Sequence, residues 1–408
     1  MRKHLLTLLI ILLSIETYAC SVCKITVHGK TYFGNNEDSW RMGSGLWFEP
    51  GENGKIGAAY FGYGHGFPQG GLNEAGLAFD GLTINHQKIR SDLRPLIPSP
   101  TIFIKDIMQH CRNIDEVKAY ASKFRREGLN GALVLFTDRS GKYLAMEPDT
   151  LVEGNDDKYV IANFCPSSTT EKQREEFGRY SRGKMFLANK TLDESLILPL
   201  VDTMHECRAK LGDGTIYSYI ADLDQLKLTV YFYHDYKLPK IFNLTEELAK
   251  GPHAYDFATM FKGNQEYEKL VAFKTPYNET RLGMYLLFCA GIFAISIVWW
   301  IWKMRKQQIP KPVALFSIFI NTLLIPYMYI LIMNQAVYYF PAPYTYDSVW
   351  VNILSYLPYA MIFFIPGLLF IIYKNRAISP LNKAVVGFNF INYLILFALF
   401  IYWGLIRF

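Results

Sequence analysis

The last third of this 408-residue chain is written for lipid. Residues 283–302, 313–333, 350–373 and 384–405 are four apolar runs, each long enough to cross about 30 Å of hydrocarbon at about 1.5 Å per residue. No Asp, Glu, Lys, Arg or His stands inside any of them. Backbone groups in lipid must bond within their own segment, so the four runs read as transmembrane helices. The first connection carries Lys303, Arg305, Lys306 and Lys311, and the third carries Lys374, Arg376 and Lys383. The second, 334–348, has no Lys or Arg. Positive charge marks the cytoplasmic side, so both basic loops are expected there. Trp299, Trp300, Trp302, Trp350 and Trp403 stand near run ends, where interface anchors belong. Intramembrane charges usually mark ion or proton paths. Without them, the polar Asn321, Asn352, Asn389 and Asn392 favour an anchor or assembly module over a transporter.

The opposite end carries an address. Arg2, Lys3 and His4 precede the apolar run Leu5 to Ile15, followed by Glu16-Thr17-Tyr18-Ala19-Cys20. This is a secretory signal over 1–19, cleaved after Ala19, and its core is too short to span a bilayer. A lipoprotein signal also ends at Cys, although Thr17 and Tyr18 suit it poorly. Export of residues 20–282 to the periplasm or exterior agrees with the orientation read from the loops.

Charge is uneven. Residues 283–408 hold eight basic residues and one acid, Asp347, a net +7 in a chain whose total is +6, so residues 1–282 are slightly acidic. Nucleic-acid binding, which needs a basic face on a soluble domain, is excluded, and so is a wholly soluble protein.

Residues 20–282 suffice for one sizeable core. Ser21–Val27 and Thr31–Gly34 read as a hairpin, with strands at Ile56–Gly62 and Leu77–Ile84. Helices are expected at Thr101–Cys111, Asp115–Phe124, Glu171–Asn189 and Asp193–Glu206. Ala132–Phe136 and Tyr143–Glu147 form another hairpin. Tyr159–Phe164, Thr215–Ala221 and Lys227–Tyr233 are strands. The order predicts a layered α+β domain with antiparallel sheets. Asn73-Glu74-Ala75-Gly76 is a hairpin turn. Residues 63–71 read as a flexible loop without the ending of a phosphate loop. Trp40, Tyr60, Phe61, Phe67 and Phe79 are core residues first, and candidates for the wall of an acyl pocket second.

Chemistry begins at Cys20. Cleavage would leave a thiol and an α-amine on one residue, and an α-amine titrates near neutrality, so nucleophile and base arrive together. The eight His form no constellation, and His205-Glu206 lacks the second His of a zinc helix, so no metal is expected. Cys23, Cys111, Cys165 and Cys207 allow three disulfide pairings in an oxidising compartment, among which spacing does not choose.

Several motifs run in a familiar order. Cys20-Ser21 opens a hairpin that reaches Tyr32-Phe33-Gly34-Asn35-Asn36-Glu37-Asp38. Gly71-Leu72-Asn73-Glu74-Ala75-Gly76-Leu77-Ala78 and Asp80-Gly81-Leu82-Thr83 follow. Val160-Ile161-Ala162-Asn163, Gly178-Arg179-Tyr180-Ser181-Arg182 and Thr215-Ile216-Tyr217-Ser218 complete the set. Over about residues 20–235 the chain resembles choloylglycine hydrolases and penicillin V acylases, N-terminal-nucleophile hydrolases that cleave linear carbon–nitrogen amide bonds. The resemblance implies an αββα sandwich and no metal or organic cofactor. It implies that Cys20 attacks the amide carbonyl and its amine shuttles a proton to the leaving nitrogen, while Asp38 holds that amine. Asn163 and the backbone N–H of Thr83 would form the oxyanion hole, and Arg179 would favour the thiolate. Asn35, Asn36 and Arg182 are the implied substrate-binding residues. The chain departs from the family at Asn35, where Arg usually stands; Arg41 or Arg182 could supply the missing charge.

The expected protein is therefore a membrane-anchored amidase acting on an N-acyl amide small molecule or lipid-like substrate. An acyltransferase on the same scaffold and a non-catalytic ligand-binding or assembly protein stay open, as does a homo-oligomer. The membrane reading makes one prediction. A single Cys introduced between Lys303 and Lys311 should escape a membrane-impermeant thiol reagent in intact cells and react after lysis. Labelling in intact cells would reverse the orientation.

Overall fold

The computed structural model describes residues 20–40, 43–63, 66–89, 93–208, 213–339, 341–343, 346, 348–374 and 379–406. The expected signal segment 1–19 and Arg41 lie outside them. The chain divides into two compact units, Tyr18–Ala272 and a second that holds Phe273–Phe408.

Among the described residues, the first unit is built on two antiparallel sheets. In chain order the strands are β1 (Ser21–Val27), β2 (Lys30–Trp40), β3 (Ser44–Glu49), β4 (Ala58–Tyr63), β5 (Pro68–Asn73), β6 (Ala78–Thr83), β7 (Ala132–Thr137) and β8 (Tyr143–Met146). They continue with β9 (Leu151–Gly154), β10 (Lys158–Ile161), β11 (Cys207–Arg208), β12 (Asp213–Asp222), β13 (Lys227–Phe232), β14 (Asp235–Asn243) and β15 (His253–Asp256). One sheet runs β10-β1-β2-β12-β13-β14, with β11 on β12. The other runs β15-β3-β4-β5-β6-β7-β8-β9.

Helices cover the outer faces. α1 (Pro100–His110) starts at Ser99, whose side chain accepts from the Ile102 N–H, with Pro100 at the first helical position. α2 (Ile114–Ala121) is capped by Asn113 and carries Asp115 and Glu116 in its first turn. Their buried faces, Phe103, Ile104, Ile107 and Met108 with Ile114, Val117 and Ala121, pack on the second sheet around Tyr60, Phe79 and Phe136. α3 (Glu171–Arg174) is a single capped turn. α4 (Gly178–Leu187) and α5 (Ile197–Met204) lie on the first sheet, α5 through Ile197, Leu200, Val201 and Met204. Between the sheets, Phe61 stacks on Tyr219 at 4.1 Å with rings 2° apart. The layers are helix, sheet, sheet, helix, as expected.

Differences from the sequence reading have local causes. Residues 63–71 are not loop throughout: Pro68–Asn73 is β5, and 64–65 lie outside the described residues. Its glycines are there for room, since a Cβ on Gly70 would come within 2.4 Å of Asp80 Oδ2 and 2.6 Å of the Tyr219 hydroxyl. The expected helix 171–189 is two helices, broken before Gly178. The turn at Asn73 is as read: its Oδ1 accepts from the Ala75 and Leu77 N–H groups at 3.1 and 3.0 Å, and Gly76 takes φ +80°. Cys20, Cys23, Cys111 and Cys165 are all free and buried, and the Cys207 side chain lies outside the described residues.

Among the described residues, the second unit contains four helices long and apolar enough to cross a membrane: Thr280–Arg305, Lys311–Met333, Leu357–Lys374 and Pro380–Tyr402. The expected span 350–373 is divided at Tyr356, with Val349–Ser355 a separate helix. Of the asparagines read from sequence, Asn389 accepts from Ser296 at 3.0 Å and Asn321 from Tyr393, both between helices, while Asn352 bonds Tyr346. Asn382, which was not singled out, accepts from Trp299 at 3.2 Å. Interhelical bonds of this kind help hold apolar helices together. Trp300 and Trp403 are fully buried inside this unit rather than set outward as anchors.

Replacing Gly70 by Ala would force Asp80 and Tyr219 apart. The expected cost is the usual ~1–3 kcal/mol of overpacking, seen as a lowered thermal midpoint of the first unit. An unchanged midpoint would show that the gap is not closed as described.

Candidate active site

β2 sorts its side chains by face, as a strand must. Phe33, Asn35 and Glu37 look into the space between the sheets, where Phe33 meets Tyr219. Asn36 and Asp38 look toward the helices. The β1–β2 register pairs Ser21 with Asn36, and its continuation sets Cys20 opposite Glu37. The two side chains meet: the Cys20 thiol donates to Glu37 Oε2 at 3.1 Å. Glu37 Oε1 accepts from the Tyr63 hydroxyl at 2.7 Å. Asp80 reaches in from β6 and accepts from Tyr219 at 3.1 Å, while its Oδ1 has no hydrogen-bond partner among the described residues. The Asn35 amide stands beside Asp80, fully buried, without a geometrically complete hydrogen bond.

On the other face, Asp38 is buried and doubly held. Arg179, in the first turn of α4, pairs with Oδ2, and Thr215 donates to Oδ1 at 2.5 Å. Arg179 also donates to Asn163 Oδ1 at 2.9 Å, and Asn163 Nδ2 donates to the Thr83 carbonyl at 2.7 Å. Ile84 bonds Gly131 across the β6–β7 ladder, so the N–H and C=O of Thr83 turn to the opposite edge. Pairing of β5 with β6 has already ended at Gly70–Asp80, so that edge is open at Thr83. Asn163 occupies it. The Asp38 backbone N–H lies near enough to the Cys20 sulfur to favour its thiolate.

Of the residues singled out in the sequence, the structure thus links Cys20, Asp38, Arg179, Asn163 and Thr83. Asn35 lies beside them. Asn36 does not: its amide donates to Ser21 Oγ and the Val201 carbonyl and accepts from Ser218, fixing β2 to α5 and β12. Arg182 is exposed and ties α4 to Thr203, His205 and Glu206. Tyr60 and Phe79 pack beneath α1 and α2, away from the thiol.

Sequence reasoning passed over Glu37 and Asp80. Burial, followed by Glu37, Asp38 and Asp80, raises the proton affinity of the Cys20 thiol, and only the Asp38 N–H opposes them. Arg179 sits on Asp38 and Asn163, so the groups acting most strongly on the sulfur are acids. Burial pushes Asp38 up to about 6 while Arg179 and Thr215 pull it back, which leaves it ionised at neutral pH. Burial likewise lifts Glu37 to about 7 against its hydrogen bonds from Tyr63 and Cys20.

No family model matches the chain, and no curated protein matches it. A variant of the conjugated bile acid hydrolase of Clostridium perfringens is similar in structure, at 14% identity and a TM-score of 0.46, over 58% of this chain and 96% of that one. Penicillin V acylase from Agrobacterium tumefaciens is similar at 12% identity and a TM-score of 0.43, over 58% of this chain and 90% of that one.

A carboxyl raised from 4.5 to about 7 by folding holds its proton more tightly folded than unfolded. Its contribution to stability is complete below about 4.5 and is lost as pH rises through about 7. The first unit should therefore melt lower at pH 8 than at pH 5, and Glu37→Gln should flatten that dependence. An equally steep dependence in the variant would place its origin elsewhere.

Proposed function

We propose that this chain is a membrane-anchored amidase of the choloylglycine hydrolase and penicillin V acylase kind, hydrolysing the linear C–N bond of an N-acyl substrate through Cys20. The observation that carries the reading is the continuous run Asp38–Arg179–Asn163–Thr83, with Cys20 opposite the neighbouring Glu37 on β2 and Asp38 close enough to act on its sulfur. It sets a nucleophile, a carboxylate and an amide in the order an acyl transfer needs.

Signal cleavage after Ala19 supplies the α-amine, and Asp38, next to the sulfur, is the acid available to hold it. Cys20 sulfur adds to the substrate carbonyl. The developing oxyanion takes the second N–H of the Asn163 amide, whose plane is fixed by Arg179 and Thr83, and the N–H of Thr83. The thiol proton passes to a neighbouring base, the C–N bond breaks as the α-ammonium gives a proton to the leaving nitrogen, and a Cys20 thioester remains. Water hydrolyses it and restores the thiol. The catalytic unit stands outside the cytoplasm, held by the four apolar helices, and this attachment favours a substrate with an amphipathic acyl chain.

The full chain in detergent, assayed on N-acyl-4-nitroanilides of graded acyl length, should lose hydrolysis in Cys20→Ala. It should lose about 10²–10³-fold in kcat in Asn163→Ala, as for removal of one oxyanion donor. Product analysis in the presence of a second amine should give the free acid. Full activity in Cys20→Ala would remove the mechanism, and acylated amine as the product would make the protein a transferase.

A further inference from the structure

We infer that Glu37 is the catalytic base that takes the proton from the Cys20 thiol, an assignment that rests on the amidase reading and extends it. The geometry is specific. Register places Glu37 opposite Cys20, and its Oε2 lies 3.1 Å from the sulfur. Its Oε1 is tied to Tyr63 at 2.7 Å, so the carboxyl cannot turn away. Both Cys20 and Glu37 are buried, so water does not compete for the proton.

The surroundings make a base necessary. The groups facing Glu37 are Cys20 before β1, Asp38 in β2, Tyr63 in β4, Asp80 in β6, and Tyr217 and Tyr219 in β12. Two of them, Asp38 and Asp80, with Glu37 itself face a sulfur that burial already keeps protonated, so a standing thiolate is disfavoured. Attack must then proceed as the proton leaves; with the α-amine held by Asp38 as the ammonium that will serve the leaving nitrogen, Glu37 is the acceptor within reach. Burial lifts its proton affinity toward neutrality, which suits a base that must both take and return a proton.

The step balances. The sulfur forms a bond to the acyl carbon while its proton passes to Glu37 Oε2. The Cys20 α-ammonium gives a proton to the nitrogen as the C–N bond breaks. In deacylation the α-amine takes a proton from water, water oxygen bonds the acyl carbon, and Glu37 returns its proton to the departing sulfur. Thiol, carboxylate and ammonium are restored.

Two rates on the full chain in detergent test this: hydrolysis of the N-acyl-4-nitroanilide that the wild type cleaves best, and alkylation of Cys20 by iodoacetamide at fixed alkaline pH. Glu37→Gln removes a negative neighbour, so the thiolate is less disfavoured and alkylation should quicken. Hydrolysis should nevertheless slow by about 10²–10⁴-fold, the usual worth of a positioned base. A purely structural role would not move the two rates in opposite directions. Unchanged hydrolysis, or a parallel fall in both rates with the fold intact, would overturn the assignment. Cys23, Cys111 and Cys165, buried like Cys20 but outside the site that must admit substrate, report the fold by staying unlabelled. Should Glu37→Gln label them, Glu37→Asp decides: withdrawing the carboxylate should slow hydrolysis and leave alkylation nearly unchanged, and full hydrolysis would overturn the assignment. Hydrolysis that survives Cys20→Ala would instead sink the amidase reading itself.

Discussion

The buried pair of Asp38 and Arg179 is the contact on which the rest of the site depends. It joins β2 of one sheet to α4, and through Asn163 it reaches Thr83 in the other sheet. Removing one partner of such a pair strands the other charge in a dry place, typically at ~3–5 kcal/mol. The pair is supported accordingly. Thr215 takes one Asp38 oxygen, Arg179 takes the other, and both guanidinium ends used here find oxygen acceptors. Two sheets stacked through aromatic contacts would leave some freedom to slide. This polar strut fixes the residues that must converge.

Around the sulfur the balance of charge is the reverse of a thiolate site. A neighbouring cation lowers a cysteine's proton affinity, yet Cys20 meets Glu37, Asp38 and Asp80. The Asn35 amide also stands beside an acid. In the proposed reaction a sulfur faced by carboxyls gives up its proton during attack rather than before it. The unpartnered Asp80 Oδ1 and Asn35 amide, buried in the same space, add polar capacity next to the nucleophile.

Much of this was legible in the sequence, for physical reasons. The apolar spacing of Thr101–Cys111 and Asp115–Phe124, the turn at Asn73-Glu74-Ala75-Gly76 and the paired strands β7, β8, β12 and β13 declare themselves locally. The ordered motifs named Cys20, Asp38, Asn163, Arg179 and Thr83, which the structure links. The rest depended on distant partners. β5 carries Gly70 and Gly71 because Asp80, Tyr219 and Phe79 crowd it, and nothing nearby in the chain says so. Glu37 was hidden in a polar stretch, Asn35-Asn36-Glu37-Asp38, read as the end of a hairpin. Continuing β2 to Trp40 would have put Glu37 on the inner face and Asp38 on the outer one. Asp80, a single acid in an apolar strand, was a signal of the same kind. Asn321 and Asn389 in the apolar runs were noticed, but that they bond helix to helix is a tertiary fact.

The central claim is a free N-terminal thiol that carries the acyl group. Mass analysis of the N-terminal peptide of the chain purified from membranes, after acid quenching with an N-acyl-4-nitroanilide it cleaves, tests this directly. The account predicts a peptide beginning at unlipidated Cys20, with a fraction heavier by one acyl group that hydroxylamine removes. A different first residue, a diacylglycerol adduct, or an acyl group on any other side chain would contradict it.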